Sequence, residues 1–125
     1  MKVGRLYTFQ SSHRLPHVLP GHKCGRLHGH TYSLEVEIVG KSEPTMGWLM
    51  DFAMLDAIVE GVIVSKLDHY HLNDVPGLEN PTSENIVDWI WDRLSIYGWP
   101  SNVNLHRVRV SENGRSWASR EPYER

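Results

Sequence analysis

Apolar and polar residues alternate along two stretches near the N-terminus, and a period of two marks strands with one buried face. Over residues 3–12, Val3, Tyr7 and Phe9 fall on the odd-numbered face, which His13 continues if the strand reaches it. The clearer strand is 28–39. There His28, His30, Tyr32, Leu34, Val36 and Ile38 share one face, and Thr31, Ser33, Glu35 and Glu37 share the other. The segment between them, 14–27, carries Pro16, Pro20, Gly21 and Gly25 and has no helical period. It reads as a long structured loop, and such loops in small domains are usually functional.

Beyond a turn region at 40–47 the period changes. Asp51 is placed to cap a helix over 52–66, with Leu55, Ile58, Val59 and Val62 as its apolar stripe. The β-branched run from Val62 to Val64 blurs where that helix ends. Residues 67–81 are irregular. Pro81-Thr82-Ser83-Glu84 then opens a second helix, with Thr82 or Ser83 as cap and Ile86, Val87, Ile90, Trp91 and Leu94 facing inward. A strand over 103–112 puts Val108, Val110 and Glu112 on one face, and Asn113-Gly114 predicts a two-residue hairpin into a last strand at about 115–119. The order ββααββ predicts a single α+β domain over 1–125. It is an antiparallel four-stranded sheet with two helices on one face, the other face left to water or to another subunit.

Composition narrows the setting. A chain of 125 residues with 40% hydrophobic side chains buries one moderate core. A formal net charge of −2 argues against a nucleic-acid partner, which would call for a basic surface. The single cysteine allows no intrachain disulfide and fits a reducing compartment. No window approaches the ~20 apolar residues of a membrane span, and the first residues do not resemble a signal peptide. The expectation is a cytoplasmic protein with no membrane partner.

The chemistry concentrates in histidine, with eight in the chain. His28 and His30 sit at i and i+2 of a strand, so both imidazoles point to one side with only Gly29 between them. Catalytic zinc commonly takes three protein ligands and keeps one open position. His13 completes that count if the first two strands pair. A lone histidine at a strand end usually just hydrogen-bonds to backbone, but this spacing on an apolar face favours a Zn2+ site. His17, His22, His71 and His106 lack such spacing and receive no role, although His17 and His22 lie in the loop that must fold over the site.

Other candidates stay open on spacing alone. Cys24, four residues before His28, reads as a small buried hydrophobe, as a further metal ligand, or as a thiolate favoured by a nearby cation and Lys23. Asp68-His69 offers a carboxylate to orient an imidazole, but neighbours on a loop do not automatically touch. Glu112 is either solvated or an acceptor for the paired N–H groups of a pterin or guanine edge. A zinc hydrolase would need a water-activating carboxylate, and none stands beside His28 or His30 along the chain.

The motifs run in a telling order: Phe9-Gln-Ser-Ser-His13, Cys24-Gly-Arg-Leu-His28-Gly-His30-Thr-Tyr32, Gly47-Trp-Leu-Met-Asp51-Phe52, Leu67-Asp68-His69, Leu72-Asn73, Pro81-Thr82-Ser83-Glu84-Asn85 and Val110-Ser-Glu112. Over about residues 5–112 the chain resembles the 6-pyruvoyltetrahydropterin synthase family. The short Cys24-to-His28 spacing is similar to the family branch that forms carboxytetrahydropterin in queuosine (7-deazapurine) biosynthesis.

The resemblance implies the tunnelling fold (T-fold), with subunits joining edge to edge into a barrel and rings stacking, most often as a hexamer. It implies His13, His28 and His30 as zinc ligands, and Cys24, Asp68 and His69 as catalytic groups. Glu112 would anchor the pterin, with Thr82 and Ser83 in a segment contributing to pterin binding, often across a subunit boundary. Lys23, Arg26 and Arg14 become candidate triphosphate contacts. The implied reaction is a zinc-dependent lyase step. It converts 7,8-dihydroneopterin triphosphate to 6-carboxy-5,6,7,8-tetrahydropterin, acetaldehyde and triphosphate. The alternatives are the pyruvoyl synthase reaction, releasing triphosphate only, and a non-catalytic pterin- or purine-binding protein with structural zinc.

Overall fold

Strand β1 (Lys2–His13) and strand β2 (His28–Gly40) pair antiparallel without a break, from Lys2 opposite Val39 to His13 opposite His28. The computed structural model describes residues 1–124. After β2 come helix α1 (Phe52–Val59), a π-helical segment (Glu60–Val64), the short α2 (Ser65–Leu67), α3 (Ser83–Ser95), β3 (Val103–Ser111) and β4 (Ala118–Arg120). The sheet order is β1-β2-β3-β4, all antiparallel. The predicted α+β arrangement is what the chain adopts.

The alternation along β1 and β2 holds. Tyr7, Phe9, Tyr32, Leu34, Val36 and Ile38 are buried, and they pack in one cluster with Leu55, Val59, Ile63, Ile86, Ile90 and Leu94 of the helical layer. The Phe9 and Tyr32 rings stack at 4.9 Å between centroids. Asp56 ties the layers together, accepting a 2.8 Å hydrogen bond from the Tyr7 hydroxyl and pairing with Arg5 at 2.8 Å. Asp51 caps α1 as expected, through Ala53 N–H. Thr82, not Ser83, caps α3, its Oγ1 accepting from Asn85 N–H at 3.2 Å.

Four local expectations give way, each for a visible reason. The first helix widens into a π turn at Glu60–Val64, which holds one extra residue per turn. The apolar stripe therefore shifts by one, burying Ile63, Val64 and Leu67 and leaving Val62 only partly covered. In α3 the deeper indole is Trp89, which donates to the Pro76 carbonyl, while Trp91 is partly buried with Arg120 over its ring.

A bulge between Glu37 and Ile38 makes β3 slip from Arg107 to Leu105, leaving His106 as the extra residue. That slip lets odd-numbered Val103 and Leu105 join even-numbered Val108 and Val110 in the core. Finally, Asn113-Gly114 does not make a two-residue hairpin. The connection spans 112–117, because Asn113 Oδ1 takes the Arg115 and Ser116 N–H groups while Ser111 Oγ accepts from Gly114 N–H and donates to the Ser116 carbonyl. These side-chain bonds replace the ladder that a tight hairpin would extend. Glu112 thus lies just past β3, not within it.

Gly40, at the end of β2, lies against the Asn102 carbonyl, where a Cβ would overlap the oxygen. Asn102 also fastens the following chain, donating to Lys41 and Leu49 carbonyls. Gly40→Ala is expected to lower unfolding free energy by about 1–3 kcal/mol, the usual cost of overpacking, read as a lower urea midpoint at unchanged slope.

Candidate metal centre and catalytic cleft

The register that closes the β1–β2 hairpin places His13 opposite His28, with His30 one pleat further on the same face. Their ligand atoms lie within 4.8 Å of one another, the only such trio of potential ligands among the described residues. Second partners set their tautomers. His13 Nδ1–H donates to the Pro81 carbonyl at 2.9 Å, and His28 Nδ1–H donates to the Arg26 carbonyl at 2.6 Å. Both Nε2 atoms are left with lone pairs, and they face each other at 3.1 Å. Two lone pairs that close repel unless a cation lies between or beside them. His30 Nε2 is buried and has no hydrogen-bond partner among the described residues. The set is thus short of one cation, and it fits a divalent metal such as zinc.

Burial pushes the His13 pKa below its usual value near 6.5, against the opposing pull of the Pro81 carbonyl and Glu112. Burial likewise lowers His30, again against Glu112. Neutral imidazoles with free lone pairs are the form a metal needs.

The sequence names Glu112 as a candidate pterin acceptor but does not place it beside the histidines. Glu112 sits 3.5 Å from His30 Nε2 and 4.0 Å from His13 Nε2, so a carboxylate does stand beside the histidines. The register explains it: Ser33 pairs with Ser111, so the next residue of the second chain segment falls near Tyr32, on the histidine face. Ser83 Oγ donates to Glu112 Oε1 at 3.1 Å and brings the start of α3 into the site. The Pro81 carbonyl was missed as well, and no side-chain chemistry could have flagged it.

Asp68 and His69 do touch, with Asp68 Oδ2 3.0 Å from His69 Nδ1. Gln10 N–H first, then His69, holds the Asp68 carboxyl below the usual range. His69 adopts a left-handed backbone, φ 63°, uncommon for a residue with a Cβ. The hydrogen bond from His69 N–H to the Gln10 carbonyl holds it there. His69 and His30 line one cleft of about 500 Å³ beside β1 and β2.

The remaining candidates are less gathered. Cys24 is half-buried in a single helical turn, Lys23–Gly25, and its carbonyl accepts from Leu15 N–H. Its thiol makes no hydrogen bond among the described residues. Lys23 and Arg26 are exposed, and Arg26 touches the centre only through its carbonyl. Arg14 has its backbone clamped by Asn73 on both sides. The Thr82 hydroxyl is committed to its capping bond.

A trio of histidines, His13 buried and His28 and His30 half-buried, on a two-layer ββααββ fold defines a T-fold protein with a metal-type centre. The solved 6-pyruvoyl tetrahydropterin synthase of Caenorhabditis elegans shares that fold, with a TM-score of 0.83 at 24% identity over 97% of this chain and 94% of that one. Residues 2–122 match the family model for 6-pyruvoyl tetrahydropterin synthase, and the chain belongs to that family. The match runs past Glu112, beyond the stretch that the motifs covered. The chain is 46% identical to a putative 6-carboxy-5,6,7,8-tetrahydropterin synthase of Archaeoglobus fulgidus, over 94% of this chain and 96% of that protein. It is 40% identical to the 6-carboxy-5,6,7,8-tetrahydropterin synthase of Synechocystis, over 90% and 86%. It is also 39% identical to a dihydroneopterin monophosphate aldolase of Pyrococcus furiosus, over 83% and 86%. Among the described residues no helix is long and apolar enough to cross a membrane.

His28→Ala is expected to deplete bound zinc in metal analysis of the purified protein, and full metal content in that variant would refute the ligand set. The lowered His13 and His30 pKa values also fix a pH response for the metal-free protein. The unfolded chain binds these protons more readily than the folded one, so stability falls as pH drops through 6.5 toward the depressed folded values. Thermal unfolding from pH 7.5 to 5 measures this, and His13→Asn should flatten the dependence.

Proposed function

We propose that this chain is a 6-carboxy-5,6,7,8-tetrahydropterin synthase. It would act as a lyase on 7,8-dihydroneopterin triphosphate in the pathway to queuosine and related 7-deazapurines. The observation that carries the reading is the pairing of two centres on one cleft: a three-imidazole trio ending in His30 and a carboxylate-bound imidazole, His69. The 40–46% identity to two proteins of that name supports the particular reaction.

In this reading His13, His28 and His30 hold zinc, which supplies polarisation of substrate side-chain oxygens and acidifies neighbouring protons. Asp68 fixes the tautomer of His69 so that Nε2 can give and take protons on the three-carbon side chain. Cys24 serves as the second proton-transfer group. Glu112 accepts the paired N–H groups of the pterin edge, with Ser83 holding the carboxylate in place and the Thr82 segment beside it. Lys23, Arg26 and Arg14 are the triphosphate contacts. The balanced change consumes one water and yields the carboxypterin, acetaldehyde and triphosphate. The side chain itself supplies the reducing equivalents, so no redox cofactor enters. The working form is a homo-oligomer, a hexamer of stacked barrel rings in the cytoplasm.

The pyruvoyl synthase reaction would release triphosphate without acetaldehyde, and a pterin-binding protein with structural zinc would release neither. Aldol cleavage of a monophosphate, named for the Pyrococcus relative, would leave the pterin with a one-carbon stub. The deciding experiment incubates zinc-loaded protein with dihydroneopterin triphosphate, and separately with the monophosphate, with mass detection of pterin product and acetaldehyde. Carboxytetrahydropterin with acetaldehyde is the expected outcome from the triphosphate. Cys24→Ala should keep its zinc and lose roughly 10²–10⁴-fold in turnover, the span of a lost acid–base group; loss of zinc with the thiol would make Cys24 a ligand instead.

A further inference from the structure

The cleft lined by His30 and His69 holds a third imidazole, and the reaction above gives it no work. His71 lies two residues beyond His69 and lines the same cleft. It is placed there by a strand-like extension of the sheet. Ser12 N–H bonds the Tyr70 carbonyl, and Ser12 and His71 form a parallel bridge on the free edge of β1. The His71 ring is oriented too, with Nδ1 3.1 Å from Ser12 Oγ. That bond occupies Nδ1, and Nε2 has no hydrogen-bond partner among the described residues. His71 is thus a half-buried imidazole, fixed at one nitrogen and free at the other.

The character of the cleft says what the free nitrogen meets. Its lining includes Gln10, Ser12, Thr31 and Tyr70 and contains no lysine or arginine. The arginines that could hold polyphosphate, Arg14 and Arg26, line a separate groove of about 230 Å³ in the 14–27 loop. A wall of neutral donors and acceptors suits uncharged hydroxyl groups, whereas a phosphate chain would call for fixed cations.

We propose that His71 binds the hydroxylated three-carbon side chain of the pterin substrate through Nε2, with Ser12 as the positioning residue that sets its ring. This rests on the pterin reading of the site, and it adds a specificity residue for the side chain as distinct from the ring and from the phosphates.

Asparagine and glutamine separate the two ring nitrogens. In His71→Asn the amide reaches Ser12 much as Nδ1 does, while Nε2 is lost; in His71→Gln the amide reaches about as far as Nε2. Each zinc-loaded variant is titrated with neopterin, which has the hydroxylated chain and no phosphate, and with pterin, which has no chain. Steady-state kinetics with dihydroneopterin triphosphate run beside the titrations. His71→Asn should weaken neopterin about tenfold and raise KM by the same factor, the size of one hydrogen bond, with kcat and pterin binding unchanged. His71→Gln should recover most of the loss. Equal weakening of neopterin and pterin would reduce His71 to a structural role and overturn the proposal. So would a KM effect with neopterin unchanged, which would move the contact to phosphate, and so would an unaltered variant of an active enzyme. A wild-type chain that binds neopterin without turnover would overturn the reaction assignment, and the neopterin titration of the variants would still decide the contact.

Discussion

Everything at the site depends on the register of one pair of strands. Pairing Lys2 with Val39 fixes every later pair down to His13 against His28. A slip of one residue would turn Tyr7, Phe9 and His13 to the outer face together. The same pleat that buries Tyr32, Leu34, Val36 and Ile38 therefore aims His28 and His30, so the core and the histidine trio are specified by a single pattern. The hydrophobic effect sets the alignment, and the imidazoles are carried along with it. This arrangement explains how three histidines divided by a long loop converge, with their nitrogens within 4.8 Å of one another.

The strand pair alone does not finish the site. The 68–71 segment fastens onto the free edge of β1 through Gln10 and Ser12, bringing the Asp68–His69 pair alongside the hairpin. The segment entering α3 contributes the Pro81 carbonyl and Ser83, and the connection just past β3 contributes Glu112. Each imposes direction on a group that could otherwise rotate. Those fixed directions are what preorganised chemistry requires, since a misplaced donor or base is worth little.

Much of this is legible in the amino-acid sequence, and the reasons are physical. Alternation over 28–39 is a strong signal because one face is buried from Tyr32 to Ile38, and it carries the half-buried His28 and His30 with it. Asp51 and Thr82 announced helix starts through a local hydrogen bond that needs no tertiary partner. The failures were of another kind. The π turn at Glu60–Val64 and the bulge at His106 each insert one residue into a regular period, and composition does not mark where. Asn113-Gly114 misled because a side-chain network in the 112–117 connection outcompeted the tight turn. Glu112 beside His30 depended on the β2–β3 register, a long-range fact that no local pattern encodes. Cys24 is the reverse case: the family resemblance implies a role for it, while its thiol has no hydrogen-bond partner among the described residues.

The bond from His13 to Pro81 joins the first strand to the residue before the α3 cap across 68 positions of sequence. The lone pair that His13 offers is thus defined by a part of the chain made long after the hairpin. A hairpin of β1 and β2 alone would hold the three histidines near one another and the Tyr32 hydroxyl 3.2 Å from His13 Nδ1, but would lack the carbonyl that takes the Nδ1 proton. The hydrogen bonds that orient the histidine trio are therefore complete only once the second half of the chain has docked on the hairpin.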